Sequence, residues 1–209
     1  ISFDVAIWQA LTALLVGGTT RVYPREVVLQ PRQLVRQMQT HGVRILQVVP
    51  SYLVELLSVL ENDPALVAAV PLDCLISAGE ILQRGMVERW FALLPGVPVM
   101  NAFGPTEASD IISQHLMREL PTGSSISIGR PLPNTRIYIL NERGQLCPAG
   151  IKGELYVSGP GVSRGYIGNA ELTAERFGTD PFQTGQVRMF RTGDLGRYTP
   201  EGNNEYLGR

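Results

Sequence analysis

The sequence predicts an α/β protein: a parallel sheet flanked by helices, followed by a small β-barrel-like subdomain. Helical and strand patterns alternate from Asp4 to Phe103, which implies parallel strands with helices packed on the sheet faces. After about residue 118 the pattern changes, and Pro121, Gly123, Gly129, Pro131 and Pro133 punctuate a loop-rich passage. Short strand-like runs separated by turns then take over, as in a small twisted barrel or sandwich. The expected division is residues 1–118 and residues 119–209.

Each element has a local reason. Asp4 can cap a helix carrying Ile7, Trp8, Leu11, Leu14 and Leu15 on its apolar side, and Gly17-Gly18 ends it. Thr19 to Tyr23 reads as a short strand. Pro31 sits where a helix can begin; Leu34, Val35 and Met38 keep helical spacing, and Gly42 closes the element. Val43 to Val49 is an apolar strand, followed by Pro50 and a helix through Leu60. Leu72 to Ser77 is a strand ended by Ala78-Gly79, Gln83 to Leu94 an amphipathic helix, and Val97 to Phe103 a further strand. Crossovers between such strands are expected to be right-handed, with the ligand edge beyond the strands' carboxyl ends. In the second half, Arg136 to Leu140, Gly153 to Ser158, Val187 to Arg191 and Asn204 to Leu207 read as strands. Asn141 to Gly144 is a turn, and Ala170 to Phe177 a short helix.

Composition narrows the function classes. The 209 residues are 44% hydrophobic, enough for a substantial core, and the formal net charge of −1 gives no case for nucleic acid or an anionic membrane. Two cysteines, Cys74 and Cys147, make no disulfide framework, and Cys74 reads as a small buried hydrophobe. No apolar run approaches the ~20 residues of a membrane span and no signal peptide is visible, so a cytoplasmic protein is expected. Ile1-Ser2-Phe3 looks like a strand end and Tyr206-Leu207-Gly208-Arg209 has no tail, so an excised piece of a larger polypeptide is expected. His41 reads as a dipole partner at a helix C-terminus, and His115 as a surface residue.

The most informative stretch is Asn101-Ala102-Phe103-Gly104-Pro105-Thr106-Glu107. It follows an apolar run at the sheet edge, where α/β proteins hold small ligands. An amide, a flat ring, a hydroxyl and an acid within seven residues suit a purine, a phosphate and a divalent metal. Arg191-Thr192-Gly193-Asp194-Leu195 supplies an aspartate able to accept from two ribose hydroxyls. Gly153-Glu154-Leu155 through Arg164-Gly165-Tyr166 reads mainly as scaffold, its glycines serving turns and strand crossings. Glu205-Tyr206-Leu207-Gly208-Arg209 closes the chain, and Phe3-Asp4-Val5-Ala6-Ile7-Trp8 opens it.

In their order along the chain the five segments resemble those of the amino-acid adenylation domains of nonribosomal peptide synthetases, within the adenylate-forming (AMP-binding) enzymes. The resemblance runs the whole length and implies a fragment of the N-terminal core: an α/β (flavodoxin-like) subdomain with substrate pocket and nucleotide loop, then a barrel-like subdomain ending at a hinge. It implies a ligase that activates an amino acid's carboxylate with ATP to aminoacyl-AMP and pyrophosphate. Loading onto a carrier-protein phosphopantetheine thiol follows. The implied cofactors are ATP and Mg²⁺, and the implied partners are the carrier (thiolation) and condensation domains of the same synthetase.

Carried over by residue, Thr106 contacts phosphate and Glu107 ligates Mg²⁺. Asn101, Ala102, Phe103, Gly79, Asp194, Tyr206 and Arg209 bind the nucleotide. Phe103 stands where the family usually has Tyr, keeping the ring without its hydroxyl, and Asn204 stands at a usually apolar position. The implied substrate pocket is lined by Asp4, Val5, Trp8, Gln47, Ile76, Ala78, Ala102, Asp110 and Ile111. A buried ammonium needs a countercharge, so Asp4 favours an α-amino acid over the acyl groups of acyl-CoA synthetases, the alternative ligases. Gln47 and Asp110 favour a polar or basic substrate side chain, with Asp110 as its partner. The family's upstream phosphate loop and downstream lysine-bearing domain are outside this sequence. The 209 residues alone are therefore expected to be a substrate-selecting piece with negligible turnover.

Overall fold

A computed structural model describes residues 4–209. The expected strand end at residues 1–3 lies outside them. The fold is mixed α/β, a helix-flanked sheet and a curled antiparallel sheet. It contains two compact units, residues 1–101 with 116–126, and residues 102–115 with 127–209.

In the first unit, Asp4 begins α1 (Val5–Leu15), its Oδ1 accepting the Val5 N–H at 3.1 Å. A short α2 (Arg25–Val28) precedes α3 (Pro31–His41), which has proline in its first turn and ends at Gly42. Then follow β1 (Ile45–Val48), α4 (Pro50–Glu61), α5 (Pro64–Ala68), β2 (Cys74–Ala78), α6 (Arg84–Leu93) and β3 (Val99–Phe103). β1 and β2 are parallel, with Gln47 opposite Ile76 and Val48 opposite Ser77. β4 (Ser113–Met117) and β5 (Arg130–Pro131) are an antiparallel pair that falls mainly in the second unit. Leu34, Val35 and Met38 of α3 and Leu53, Leu56, Leu57 and Leu60 of α4 join Leu75, Val87 and Trp90 in the core. Each repeats at three or four residues within its helix, and that periodicity drives burial of one face. Trp90 is wholly buried, and its indole N–H donates to the Val97 carbonyl at 2.9 Å, so the large ring costs no unmade hydrogen bond.

The expected strand over Thr19 to Tyr23 is absent: residues 18–24 hold no regular element. Local bonds explain this. The Gly18 N–H donates to the Ala13 carbonyl at 2.7 Å and the Thr20 hydroxyl to the Ala10 carbonyl at 2.9 Å, folding the segment back on α1 rather than into a ladder. The apolar side expected for α1 is largely exposed, Ile7 by 52%, Leu11 by 49%, Leu14 by 55% and Leu15 by 84%, with Trp8 half-buried. The strand-rich register also continues beyond Val187 to Arg191: that ladder runs from Arg188 to Tyr198.

The second unit is built on β6 (Arg136–Leu140), β7 (Gly153–Ser158), β8 (Phe177–Thr179), β9 (Arg188–Tyr198) and β10 (Asn204–Gly208), with α7 (Ala170–Arg176) before β8. The sheet order is β10-β9-β7-β6, with β8 also on β9, and these pairings are antiparallel. Ile137, Ile139, Leu155, Val157, Val162 and Phe190 form its core, alternating along each strand as a half-buried sheet requires. Asn204, the polar residue at an expected apolar position, is 2% exposed. Its Nδ2 donates to the Gly129 carbonyl at 2.9 Å, and its backbone N–H reaches the same oxygen at 2.8 Å. The amide therefore closes the sheet edge where an aliphatic side chain would leave that carbonyl with one bond fewer.

Candidate functional site

Residues 103–112 form a closed loop in the second unit. The Ile112 N–H donates to the Phe103 carbonyl at 2.8 Å. Between them lie Gly104, Pro105 and a single 3₁₀ turn, Thr106–Ala108. A β-carbon at Gly104 would overlap the backbone carbonyl of Asp110, so only glycine permits this closure. Ser109 and Asp110 follow with φ of 63° and 71°, two successive non-glycine residues in the left-handed region. Such backbone is costly and concentrates at functional sites. The turn projects Thr106, exposed, and Glu107, half-buried.

The second acid sits on a bulge. On β7, Glu154 pairs with Leu195 and Tyr156 with Arg191, so residues 192–194 oppose Leu155 alone. The Thr192 hydroxyl donates to the Leu155 carbonyl at 2.7 Å and accepts the Asp194 N–H at 2.9 Å. Gly193 takes φ 77° at the apex. This geometry buries Asp194 to 4% exposure, a position at which a carboxylate needs a partner. Arg209 supplies it, Nε to Oδ1 at 2.7 Å, and the pairing raises the guanidinium's pKa.

Arg209 also feels the charges of Tyr206 and Glu107, and Tyr206 feels Asp194. Phe103 and Tyr206 lie with ring centroids 5.4 Å apart, tilted by 42°. Burial, then the Asp194 charge, raises the Tyr206 phenol. Both acids, both rings and the guanidinium thus share one neighbourhood of the second unit, although the sequence separates them by up to about 100 residues. Ala102, 4% exposed, begins the unit; Asn101, 5% exposed, precedes it on β3 and counts with the first unit.

The other expected pocket residues divide between the units. Asp4, Val5 and Trp8 lie on or cap α1, while Gln47, Ile76, Ala78 and Gly79 cluster at the carboxyl ends of β1 and β2. Gln47 Oε1 and Ser77 Oγ are shielded and have no hydrogen-bond partner among the described residues. A buried polar atom without a partner is expensive. Asp110 and Ile111 belong to the second unit. His115 is not a plain surface residue: it lies in β4, half-buried, with Nδ1 shielded and unbonded. His41, the last residue of α3, meets Tyr23, Nδ1 to hydroxyl at 3.1 Å.

Two residues of the segment read as scaffold engage the acid-bearing turns. Glu154 accepts the Gly193 N–H at 3.1 Å and the Arg191 Nε–H at 2.9 Å. The Tyr166 hydroxyl donates to Glu107 Oε1 at 2.7 Å, and burial, then this bond, pushes its pKa up to about 12. A charged side chain on a strand otherwise rich in apolar residues was the available signal for Glu154. No local pattern marks Tyr166.

Among the described residues no three His, Cys, Asp or Glu side chains converge as a metal cage. Thr106 and Glu107 on the 3₁₀ turn offer one hydroxyl and one carboxylate, oxygen donors of the kind Mg²⁺ takes together with waters and substrate phosphates.

A fold with a helix-flanked sheet, a Gly-Pro-Thr-Glu turn and a buried aspartate bulge defines a nucleotide-handling class, and comparison gives the family. Residues 1–167 match the model of the AMP-binding enzymes, and the chain belongs to that family. It is similar over its whole length to bacitracin synthase 3 of Bacillus licheniformis, at 38% identity. It is similar to the same extent to the phosphinothricin tripeptide synthetase PhsB of Streptomyces viridochromogenes, also at 38%. It spans 3% and 17% of those two proteins. Among solved structures, PA1221, a nonribosomal peptide synthetase protein containing adenylation and PCP domains, superposes with a TM-score of 0.87 at 28% identity. The whole of this chain covers 41% of that one. The Klebsiella oxytoca NpsA N-terminal subdomain, solved with 3-hydroxybenzoyl-AMSN, gives 0.80 at 27%, with 100% of this chain on 52% of that one.

Proposed function

We propose that this chain is the nucleotide- and amino-acid-binding part of a nonribosomal peptide synthetase adenylation domain. It selects an amino acid and activates the carboxylate with ATP, giving aminoacyl-AMP and pyrophosphate. The observation that carries this is the grouping of Glu107, Asp194, Arg209, Phe103 and Tyr206 in one neighbourhood.

In this reading Asp194 accepts from the ribose hydroxyls, and Arg209 turns from the carboxylate to the nucleotide as it binds. Phe103 and Tyr206 provide apolar faces beside the base, with Asn101, Ala102 and Gly79 along the strand ends. Thr106 and Glu107 lie where the phosphates go, and Glu107 holds Mg²⁺. The metal, when bound, neutralises charge on the transferring phosphoryl group. A carboxylate is already ionised and nucleophilic at neutral pH, so no general base is required. The protein's task is to hold two anions in line, which is positioning and electrostatics.

Asp4 supplies a countercharge for the substrate ammonium. Val5, Trp8, Ile76, Ala78 and Ile111 bound the side chain, and the unbonded Gln47 Oε1 together with Asp110 favours a polar or basic one. In this reading the 1–118 portion carries the substrate pocket and the nucleotide loop, and the barrel-like 119–209 portion adds Asp194, Tyr206 and Arg209. Within a full-length synthetase the aminoacyl group passes to a carrier-domain phosphopantetheine thiol, next to a condensation domain. A cytoplasmic location is part of the same proposal; no helix among the described residues is long and apolar enough to cross a membrane.

ATP–pyrophosphate exchange by the full-length protein, run with a panel of amino acids and of aryl and fatty acids, tests the reading. Exchange with a polar or basic amino acid is expected. Signal only with non-amino acids would assign the chain to the acyl-CoA ligase type. Signal only with small aliphatic amino acids would remove the roles given to Gln47 and Asp110.

A further inference from the structure

Three contacts tie residues 159–166 to the turn that carries Glu107. The Ser163 N–H donates to the Glu107 carbonyl at 2.8 Å, the Ser109 hydroxyl donates to the Gly161 carbonyl at 2.7 Å, and the Tyr166 hydroxyl donates to Glu107 Oε1 at 2.7 Å. The first two fix the backbone of the turn. The third fixes the carboxylate itself. Tyr166 is in turn held at both ends. Its backbone N–H donates to Thr173 Oγ1 at 2.9 Å, and its ring stands edge-on to Phe177, centroids 5.3 Å apart and planes at 76°. A phenol seated in this way has one direction in which to donate, and that direction is Glu107.

We propose that Tyr166 is a positioning residue for the divalent cation: its hydroxyl occupies one oxygen of Glu107 and sets the rotamer that presents the other to the metal. A carboxylate has two oxygens and about four acceptor sites, so one bond to Tyr166 leaves the second oxygen for an ion. Groups that orient metal-ligating carboxylates control affinity through geometry, typically by 10- to 100-fold. The inference rests on the metal-binding role proposed above for Glu107.

Binding of Mn²⁺ and ATP to the full-length protein tests it, with free Mn²⁺ followed by electron paramagnetic resonance and ATP affinity also measured without divalent ion. The proteins are wild type, Tyr166→Phe, Glu107→Gln and the double variant. Phenylalanine keeps the ring against Phe177, and residue 166 is only half-buried, so Tyr166→Phe is expected to fold with a melting temperature close to that of wild type. It is expected to weaken Mn²⁺ binding in the presence of ATP about tenfold, with metal-free ATP affinity altered less than about twofold. In the Glu107→Gln background the same change is expected to add nothing further. Equal Mn²⁺ affinity in Tyr166→Phe and wild type would overturn the proposal while leaving the nucleotide reading intact. An undiminished Tyr166→Phe effect in the Glu107→Gln background would overturn it too, because the hydroxyl would then act elsewhere. A wild type that binds ATP but not Mn²⁺–ATP removes the metal role of Glu107, and one that binds neither removes the nucleotide reading.

Discussion

Glu154 accepts the backbone N–H of Gly193 at 3.1 Å, so a strand residue of β7 holds the apex of the bulge that presents Asp194. The same carboxylate pairs with Arg191 on the near side of the bulge. One acid therefore braces the apex and the near flank of a turn that is further held by the Thr192 hydroxyl and by the Arg209 pair of Asp194.

Removing that brace should loosen the turn without unfolding the sheet. Glu154→Ala is expected to weaken ATP binding about tenfold, since a hydrogen bond to a charged group contributes about 1.5–3 kcal/mol. Calorimetric titration of ATP measures it. Unchanged affinity would show that Thr192 alone holds Asp194.

Asp194 itself is the stronger test of the nucleotide reading. Asp194→Ala is expected to cost ATP affinity about 10–100-fold. Loss of the Arg209 pair should change stability little, because the guanidinium side chain is 74% exposed and such pairs contribute about 0–1 kcal/mol. Comparing ATP with 2′,3′-dideoxy-ATP separates the two effects: a ribose ligand loses its preference for ATP in the variant.

Gly104 is a steric requirement. Alanine there would collide with the Asp110 backbone and force open the loop between Phe103 and Ile112. Gly104→Ala is expected to destabilise by more than about 4 kcal/mol, the range reached only by core or backbone disruption. Urea denaturation, or failure to recover soluble protein, reports it. A melting curve like that of the wild type would refute the closure.

The second unit should also show an acid-sensitive core. Asp180 is 2% exposed; burial alone would raise its pKa, but bonds from Ser158, Gln183, the Phe182 N–H and Tyr138 outweigh it and hold the pKa below the usual aspartate value. A depressed pKa stabilises the fold fully above about pH 4, the unfolded aspartate value, and that contribution fades as pH falls through the lower folded value. Asp180→Asn is expected to cost about 1–3 kcal/mol at pH 7, with the gap from wild type narrowing below about pH 4. Urea melts from pH 3 to 8 check the slope (a pH-independent gap would assign the loss to shape rather than charge).

Local patterns carried much of the fold. Proline in the first turns of α3 and α4 and the leucine spacing of α4 locate helices because both act within a few residues. Arg136–Leu140 and Gly153–Ser158 match their expected strands residue for residue, for alternation is equally local. Thr19 to Tyr23 has strand composition but no ladder, since the hydroxyl of Thr20 found a carbonyl on α1 first. α2, α5, β5 and β8 have too few residues for a period to emerge, and β4, Ser-Gln-His-Leu-Met, shows no alternation of polar and apolar residues.

From the order of residues alone came the α/β class, the family and the chemical types of the candidate site: two rings, two acids and a guanidinium, drawn from three short motifs. Tertiary structure alone decided that Tyr166 reaches Glu107 across 59 positions and Glu154 reaches Gly193 across 39. Periodicity speaks for neighbours a few residues apart, whereas a single hydrogen bond between distant segments has no period. It exists only once loop closure has brought donor and acceptor within 3 Å or so of each other.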